Sequence, residues 1–270
     1  MRYLYCLPLV LSLFYSLSTA AQRRGVSSTL LLPELQTEFA LKGDDYLLVG
    51  LRAPLFTASP GVDLQRLGLN LGYERFWDQQ WSGGATLRLE FFNGYRGGGD
   101  VGRLYTDLVP ELFVRHWNTL GAFNFRQRLG VDYYVPGGER GESRASTHLR
   151  LDLDRLFPLG GKTAIRPRLA YEAAAYLRLQ RDDDELKERV IDFGALRGEV
   201  GVVLSPRFDF TPWVASQTVY LNTLPQYDSM GNQTSGGRTN LVSPVVGLDV
   251  RLTLFRGGTP FERRQLPTQH

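Results

Sequence analysis

The connections between segments of alternating apolar and polar residues constrain this fold more than any other feature of the sequence. Short links, such as Asp78 to Gln80, take turns along the chain with longer polar links, such as Tyr227 to Asn240. Outer-membrane β-barrels have this rhythm because their short turns lie at one rim and their long loops at the other. The sequence therefore predicts an all-β fold, a transmembrane antiparallel barrel whose strands run up and down in chain order.

The alternation itself indicates strands. In the segment 66–75, every second residue from Leu67 to Tyr73 is apolar, whereas the residues between them are polar or glycine. Successive side chains of a strand point to opposite faces, so this pattern predicts a lipid face and a lumen face. Helical spans are excluded after residue 21, because the mean hydropathy is -0.22 and no apolar run approaches the ~18 residues that a helical span needs.

Strand number follows from counting the alternating segments. They lie at 34–42, 45–53, 64–77, 81–93, 104–117, 119–135, 146–157, 163–180, 190–205, 208–224 and 240–255. Bacterial single-chain barrels have even strand numbers. We therefore expect a twelfth strand at Val26 to Leu32, ahead of Pro33, and a ten-stranded barrel is the alternative.

The N-terminal residues have the features of a secretory signal peptide. Arg2 supplies a positive charge, Leu4 to Leu17 form an apolar core, and Ser18 to Ala21 offer small side chains for cleavage. The single cysteine, Cys6, lies in this segment, so the mature chain has neither a disulfide nor a thiolate metal site. We expect a signal peptide at 1–21, a barrel at 22–255, a polar C-terminal tail at 256–270 and a location in the outer membrane of a Gram-negative bacterium.

A soluble β-sandwich or lipocalin-like barrel also alternates and is the main alternative fold. The polar faces here carry charges, and the candidate strands exceed the roughly five or six residues usual in globular proteins. The tryptophans Trp77, Trp81, Trp117 and Trp213 lie near the tight links, where aromatic rings in a barrel would contact lipid headgroups. These features favour the membrane barrel, with all four tryptophans at the membrane interface.

Arginine dominates the expected lumen. The chain has 28 arginines and three lysines, and planar guanidinium groups suit pairing with carboxylate or phosphate. The residues expected to line the lumen are Arg88, Glu90, Arg126, Arg128, Arg150, Asp152, Arg166, Arg168, Glu172, Arg197, Glu199, Asp249 and Arg251. Because the charges nearly balance, these residues form either ion pairs that narrow the lumen or a constriction that attracts anions.

Three functional classes are compatible with such a barrel. The first is a narrow channel for small solutes, with anions favoured by the arginines. The second is a closed structural or binding barrel that acts through its outward loops, and the third is a lipid-modifying outer-membrane enzyme. For the enzyme, His148 with Asp132 or Asp152, close to Ser143 and Ser146, is the one acid–base group expected at the outer rim.

The sequence supplies no convincing catalytic or cofactor motif. The glycines of 97–102 and of Gly160 to Thr163 imitate nucleotide-binding motifs, but they lie in links between strands and are expected to be turn residues. The acidic segment 181–189 lacks the EF-hand spacing. We therefore predict no catalytic residues, no cofactor and no metal site. The expected partners are outer-membrane lipid, lipopolysaccharide and a small solute, without nucleic acid, and the barrel is expected to be a monomer.

One family resemblance is present. Trp117-Asn118-Thr119 leading into Phe125 to Leu129, the pair Arg166 and Arg168, and the twelve-strand layout resemble the uncharacterised outer-membrane barrels grouped as domain of unknown function 2490. The resemblance covers residues 34–255. It implies a fold and a location without an established activity.

Overall fold

The chain folds into a closed β-barrel. The computed structural model describes residues 23–41, 45–58, 61–64, 66–93, 104–138, 142–177, 190–231 and 233–255. The strands are β1 (Arg23–Val26), β2 (Leu30–Ala40), β3 (Asp45–Arg52), β4 (Leu55–Ala58), β5 (Gly61–Leu64), β6 (Leu67–Phe76), β7 (Trp81–Asn93), β8 (Leu104–Leu120), β9 (Phe123–Tyr134), β10 (Arg144–Asp154), β11 (Phe157–Gly160), β12 (Thr163–Leu177), β13 (Phe193–Ser205), β14 (Phe208–Tyr227) and β15 (Gln233–Phe255). These ranges contain no helix that is long and apolar enough to cross a membrane.

Eleven of the described strands form the barrel wall. In chain order, β2, β3, β6, β7, β8, β9, β10, β12, β13, β14 and β15 each pair antiparallel with the next. The barrel closes where β15 pairs in parallel with β2, from Val245 opposite Leu30 to Phe255 opposite Ala40. This pairing leaves neither strand with an open edge. The prediction of an all-β barrel is confirmed, and the sheet is mixed.

The predicted strand numbers, twelve and its alternative ten, are wrong for the described residues. β1 pairs in parallel with β15, with Arg23 opposite Thr239, and the chain then continues in the same direction into β2. Val26 to Leu32 is therefore not a separate strand of opposite direction. An odd number of strands makes the first and last strands point the same way, and a parallel ladder satisfies their backbone groups too. Closure needs no twelfth strand.

Strand bounds otherwise lie close to the predicted ones. β7 begins and ends at the predicted residues 81 and 93, whereas β15 begins at Gln233 instead of residue 240. Residues 233–239 lack apolar alternation, but their backbone pairs with the end of β14. Alternation of apolar and polar residues does not detect a strand that is held by backbone pairing alone.

The two ends of the barrel differ. Tight connections join β6 to β7, β8 to β9 and β13 to β14 at one end, called here the turn end. Most of the longer connections, such as those from β7 to β8 and from β12 to β13, lie at the opposite end, called here the loop end. Gly160 (φ 120°) ends β11, and Gly161 (φ 60°) begins the two-residue turn to β12, where positive φ favours glycine. The expectation that these glycines belong to a turn is confirmed.

The barrel is polar inside and apolar outside. On β2, Glu34, Gln36 and Glu38 are buried, whereas Leu35 and Phe39 between them are exposed. Among the described residues, more buried side chains are polar or charged than apolar. The exposed apolar side chains include Leu112, Leu129, Leu169, Leu196, Val214 and Leu248, from six different strands. This polarity is the reverse of that of a water-soluble domain, which rarely buries charges or leaves large apolar surfaces bare.

Candidate functional site in the barrel interior

A chain of ion pairs follows the inner wall. Arg126 donates to Asp154, and Arg168 donates to Glu199. Arg197 extends the chain to β15, because its Nε donates to Glu199 Oε2 (2.6 Å) and its Nη2 donates to Asp249 Oδ2 (2.7 Å). The turn-end ion network is defined as Arg126, Asp154, Arg168, Glu199, Arg197 and Asp249. Since each guanidinium meets a carboxylate, these charges are compensated by protein groups.

A second set of contacts fills the interior near β6 and β8. Arg115 Nη1 donates to Glu74, with distances of 2.7 Å and 2.8 Å to the two carboxylate oxygens. Beside this pair, the Phe76 ring centroid lies 6.0 Å from that of Trp117 and 5.8 Å from that of Tyr46. Charge pairing and aromatic packing therefore occupy the same level of the barrel.

These two sets of contacts close the barrel near the turn end. The side chains that point into the barrel at this level include Arg115, Arg126, Asp154 and Asp249, and all four are fully buried. A water-filled pore would expose the groups that line it. The described residues therefore leave no open lumen at this level.

Two of the four tryptophans lie inside the barrel. Trp77 and Trp81 are exposed near the turn end, whereas Trp117 and Trp213 are buried. Trp213 Nε1 donates to Asp249 Oδ1 (2.8 Å), and its ring centroid lies 3.7 Å from Arg197 Cζ. The prediction that Trp117 and Trp213 contact lipid headgroups is wrong, because their rings fill the interior and pack against guanidinium groups.

Gly247 supplies the space that the Trp213 ring occupies. A Cβ added at Gly247 would overlap the indole, whereas a Cβ at Gly198 would meet nothing within 4 Å. We predict that Gly247→Ala lowers the free energy of unfolding by about 1–3 kcal/mol through overpacking, and that Gly198→Ala is nearly neutral. Denaturant unfolding followed by tryptophan fluorescence compares the two variants. Equal stabilities would contradict the packing of Trp213 on Gly247.

A cavity lies between Trp213 and the loop end. Its volume is about 530 Å³, which is within the range of roughly 300–1,000 Å³ for small-molecule sites. Its charged lining includes Arg52, Arg88, Arg150, His148, Glu172 and Asp192. Its apolar lining includes the alanines Ala170, Ala174, Ala195 and Ala215 of β12, β13 and β14. The cavity thus combines an arginine-rich part with an apolar part that contains these alanines and also Phe193, Val219 and Leu221.

Arg88 differs from its neighbours in hydrogen bonding. Arg52 donates to Glu90, and Arg150 donates to Asp152 Oδ1 from Nη2 (3.0 Å) and Nε (3.1 Å). Arg88 donates no hydrogen bond to the described residues, and its ion pair joins Nε to Glu90 Oε1 at 3.4 Å. Its side chain is 33% exposed. Because a guanidinium carries five N–H donors, Arg88 has capacity for a bound anion.

His148 is held between two carboxylates. Its Nε2 lies 2.8 Å from Asp132 Oδ2, and its Nδ1 lies 3.6 Å from Glu172 Oε1. Ser146 Oγ donates to Asp132 Oδ1 (2.6 Å). A Ser–His–Asp triad needs one imidazole nitrogen on the acid and the other on the serine. Here both nitrogens face acids, so the arrangement suits a braced cationic side chain better than a general base.

The structure places all thirteen residues expected to line the lumen on the inner side of the wall. Arg126, Arg168, Arg197, Glu199 and Asp249 belong to the turn-end ion network, and Arg88, Arg150 and Glu172 line the cavity. The others, Glu90, Arg128, Asp152, Arg166 and Arg251, make ion pairs with inward groups.

Sequence reasoning missed inward residues on strands that it did not divide into faces. β8 contributes Glu111, Phe113 and Arg115, and β2 contributes Glu34 and Glu38. The sequence does contain a signal for these inward residues. They recur at every second position, and the positions between them include leucine, valine or phenylalanine.

Several predictions concern residues outside the described ranges. They are the signal peptide at 1–21, the tail at 256–270, the glycines at 97–102 and the acidic segment 181–189. Within the described ranges, no group of three or more His, Cys, Asp or Glu side chains is arranged to hold a metal ion.

Comparisons with family models, with curated proteins and with solved structures find no match to this chain. The resemblance to the domain of unknown function 2490 therefore stays a prediction.

Proposed function

We propose that this protein is an outer-membrane β-barrel that binds a small solute in its loop-end cavity. The observation that carries the proposal is the cavity itself, which ends on a closed layer of ion pairs inside a wall with an apolar outer face. Of the functions that the sequence leaves open, this geometry favours a closed binding barrel over a channel.

The outer face supports insertion into a bilayer. Leucine, valine and aromatic side chains cover it, and charged side chains point inward, which is the arrangement of transmembrane barrels. A membrane strand needs about 9–11 residues. Ten of the eleven described wall strands have 10 residues or more, and β3 has 8, so the wall is long enough overall to cross a bilayer. The signal-like N-terminal sequence supports export to the outer membrane, where lipid and lipopolysaccharide would surround a monomeric barrel.

The closed turn end supports binding over passage. A solute that enters from the loop end meets Trp213 and Arg197, and Arg197 is itself hydrogen-bonded to Glu199 and Asp249. Passage would require breaking charge-assisted hydrogen bonds in a buried site, whereas binding leaves them intact.

Single-channel recording in a planar bilayer tests the proposal. We expect folded protein to insert without discrete conductance steps, because the turn-end ion network closes the interior. Heat-modifiable gel mobility of the same sample would establish that the barrel is folded. Discrete steps with a reproducible reversal potential in a salt gradient would overturn the closed barrel and favour the channel.

A further inference from the structure

We propose that the loop-end cavity selects an amphipathic anion, namely a carboxylate that carries a short hydrocarbon chain. This inference rests on the proposed binding function and names its ligand class. Arg88 is the group that holds the carboxylate, and the alanines of β12, β13 and β14 accept the chain.

The charged part of the cavity has unused donors. Arg88 makes no hydrogen bond to the described residues, and Arg150 uses its Nε and Nη2 on Asp152, which leaves Nη1. His148 is less suited, because both of its nitrogens face carboxylates. An anion that receives N–H groups from Arg88 completes hydrogen bonds that the protein itself does not make.

Charge within the lining favours an anion over a cation. The described lining contains five arginines, Arg52, Arg88, Arg144, Arg150 and Arg197, and two acids, Glu172 and Asp192. The acids that pair with Arg52 and Arg150 are Glu90 and Asp152, and neither of them lines the cavity. A ligand therefore meets guanidinium groups more often than carboxylates.

The apolar part faces Arg88 across the barrel. Ala195 lies on β13 and Ala215 on β14, and β13 is five strands from β7 in one direction around the wall and six in the other. Arg88, on β7, therefore lies on the side opposite these alanines. On this side of the cavity, the alanine methyl groups leave room and offer no hydrogen bond. A hydrocarbon chain gains from contact with this surface, and a wholly polar anion does not.

Equilibrium dialysis of the full chain in nanodiscs tests the ligand class. The probe is radiolabelled octanoate, empty nanodiscs give the lipid background, and octylammonium and acetate separate the contributions of charge and chain. We expect saturable octanoate binding, weaker acetate binding and no octylammonium binding above background.

Two lining variants and one control sharpen this test. Arg88→Gln removes the anchoring charge without breaking a protein hydrogen bond, and Ala215→Leu fills the apolar side. Each should weaken octanoate binding by about 10-fold or more, as expected for loss of a charged hydrogen bond or of the chain's space. Arg75→Gln, on the exposed outer surface of β6, should bind as the unmodified chain does.

The outcomes separate this inference from the proposed function. Absent octanoate binding, equal binding by Arg88→Gln, or acetate binding as tight as octanoate binding overturns the amphipathic anion. Conductance in the same folded sample overturns the closed barrel, whatever octanoate does. A silent barrel that binds octanoate only with Arg88 and the alanine surface intact supports both.

Discussion

Replacing Arg115 by methionine is expected to lower the free energy of unfolding by about 3–5 kcal/mol, as for other buried pairs that lose one partner. Arg115 and Glu74 are joined by charge-assisted hydrogen bonds, and Glu74 is only 1% exposed. The substitution removes the guanidinium that neutralises a carboxylate far from water. Urea unfolding in liposomes, read by the folded fraction on unheated gels, measures the loss.

A neighbouring residue provides the matched control for this prediction. Arg75 follows Glu74 on β6, but its side chain is 63% exposed and its Nε lies 3.8 Å from Asp45 Oδ1. Arg75→Met should therefore change stability by less than about 1 kcal/mol, as for exposed ion pairs. The double variant Arg115→Met, Glu74→Gln should recover part of the loss, because it leaves no unpaired charge. A mild effect of Arg115→Met alone would show that water reaches this pair.

The barrel and its two faces were predictable because they depend on local alternation. Leu129 and Val131 point outward while Arg126 and Arg128 point inward, and two-residue periodicity determines this without any knowledge of partners. Strand number was less accessible. Whether β2 closes the barrel on β15 in parallel, or needs another strand before it, depends on backbone pairing between segments more than 200 residues apart.

The interior site was also only partly predictable from the sequence. Trp213 shares its face of β14 with Asp209 and Thr211, so the alternation already placed it inside. Proximity to a tight turn, on which the headgroup prediction rests, indicates the level of a residue along the barrel axis and not the face of the strand. The cavity had no comparable signal, because Ala195 and Ala215 line it from one side of the wall and Arg88 lines it from the other. Sequence spacing on one strand carries no information about which side chains face it from the opposite wall.

Arginine substituted for Leu129 is the second change for which we expect a large effect. Leu129 lies near the middle of β9, between Val114 of β8 and Leu149 of β10, and is 56% exposed on the outer face. If this face contacts hydrocarbon, a charge there should lower the free energy of unfolding in liposomes by about 2–4 kcal/mol. In a soluble barrel, the same arginine would enter water and have little effect.

Leu120 is the control because it has the same chemistry and almost the same exposure, 55%, but ends β8 at the turn end. Leu120→Arg should lower stability by only about 0–1 kcal/mol, since an arginine near the interface reaches headgroups and water. Exposure alone cannot produce this difference, so the comparison isolates the depth of the residue in the bilayer. Equal tolerance of both arginines would contradict membrane insertion and favour a barrel whose apolar outer face is covered by protein. A loss confined to Leu129→Arg would locate the hydrocarbon layer around the middle of β9, which places the turn-end ion network and the loop-end cavity on a measured membrane axis.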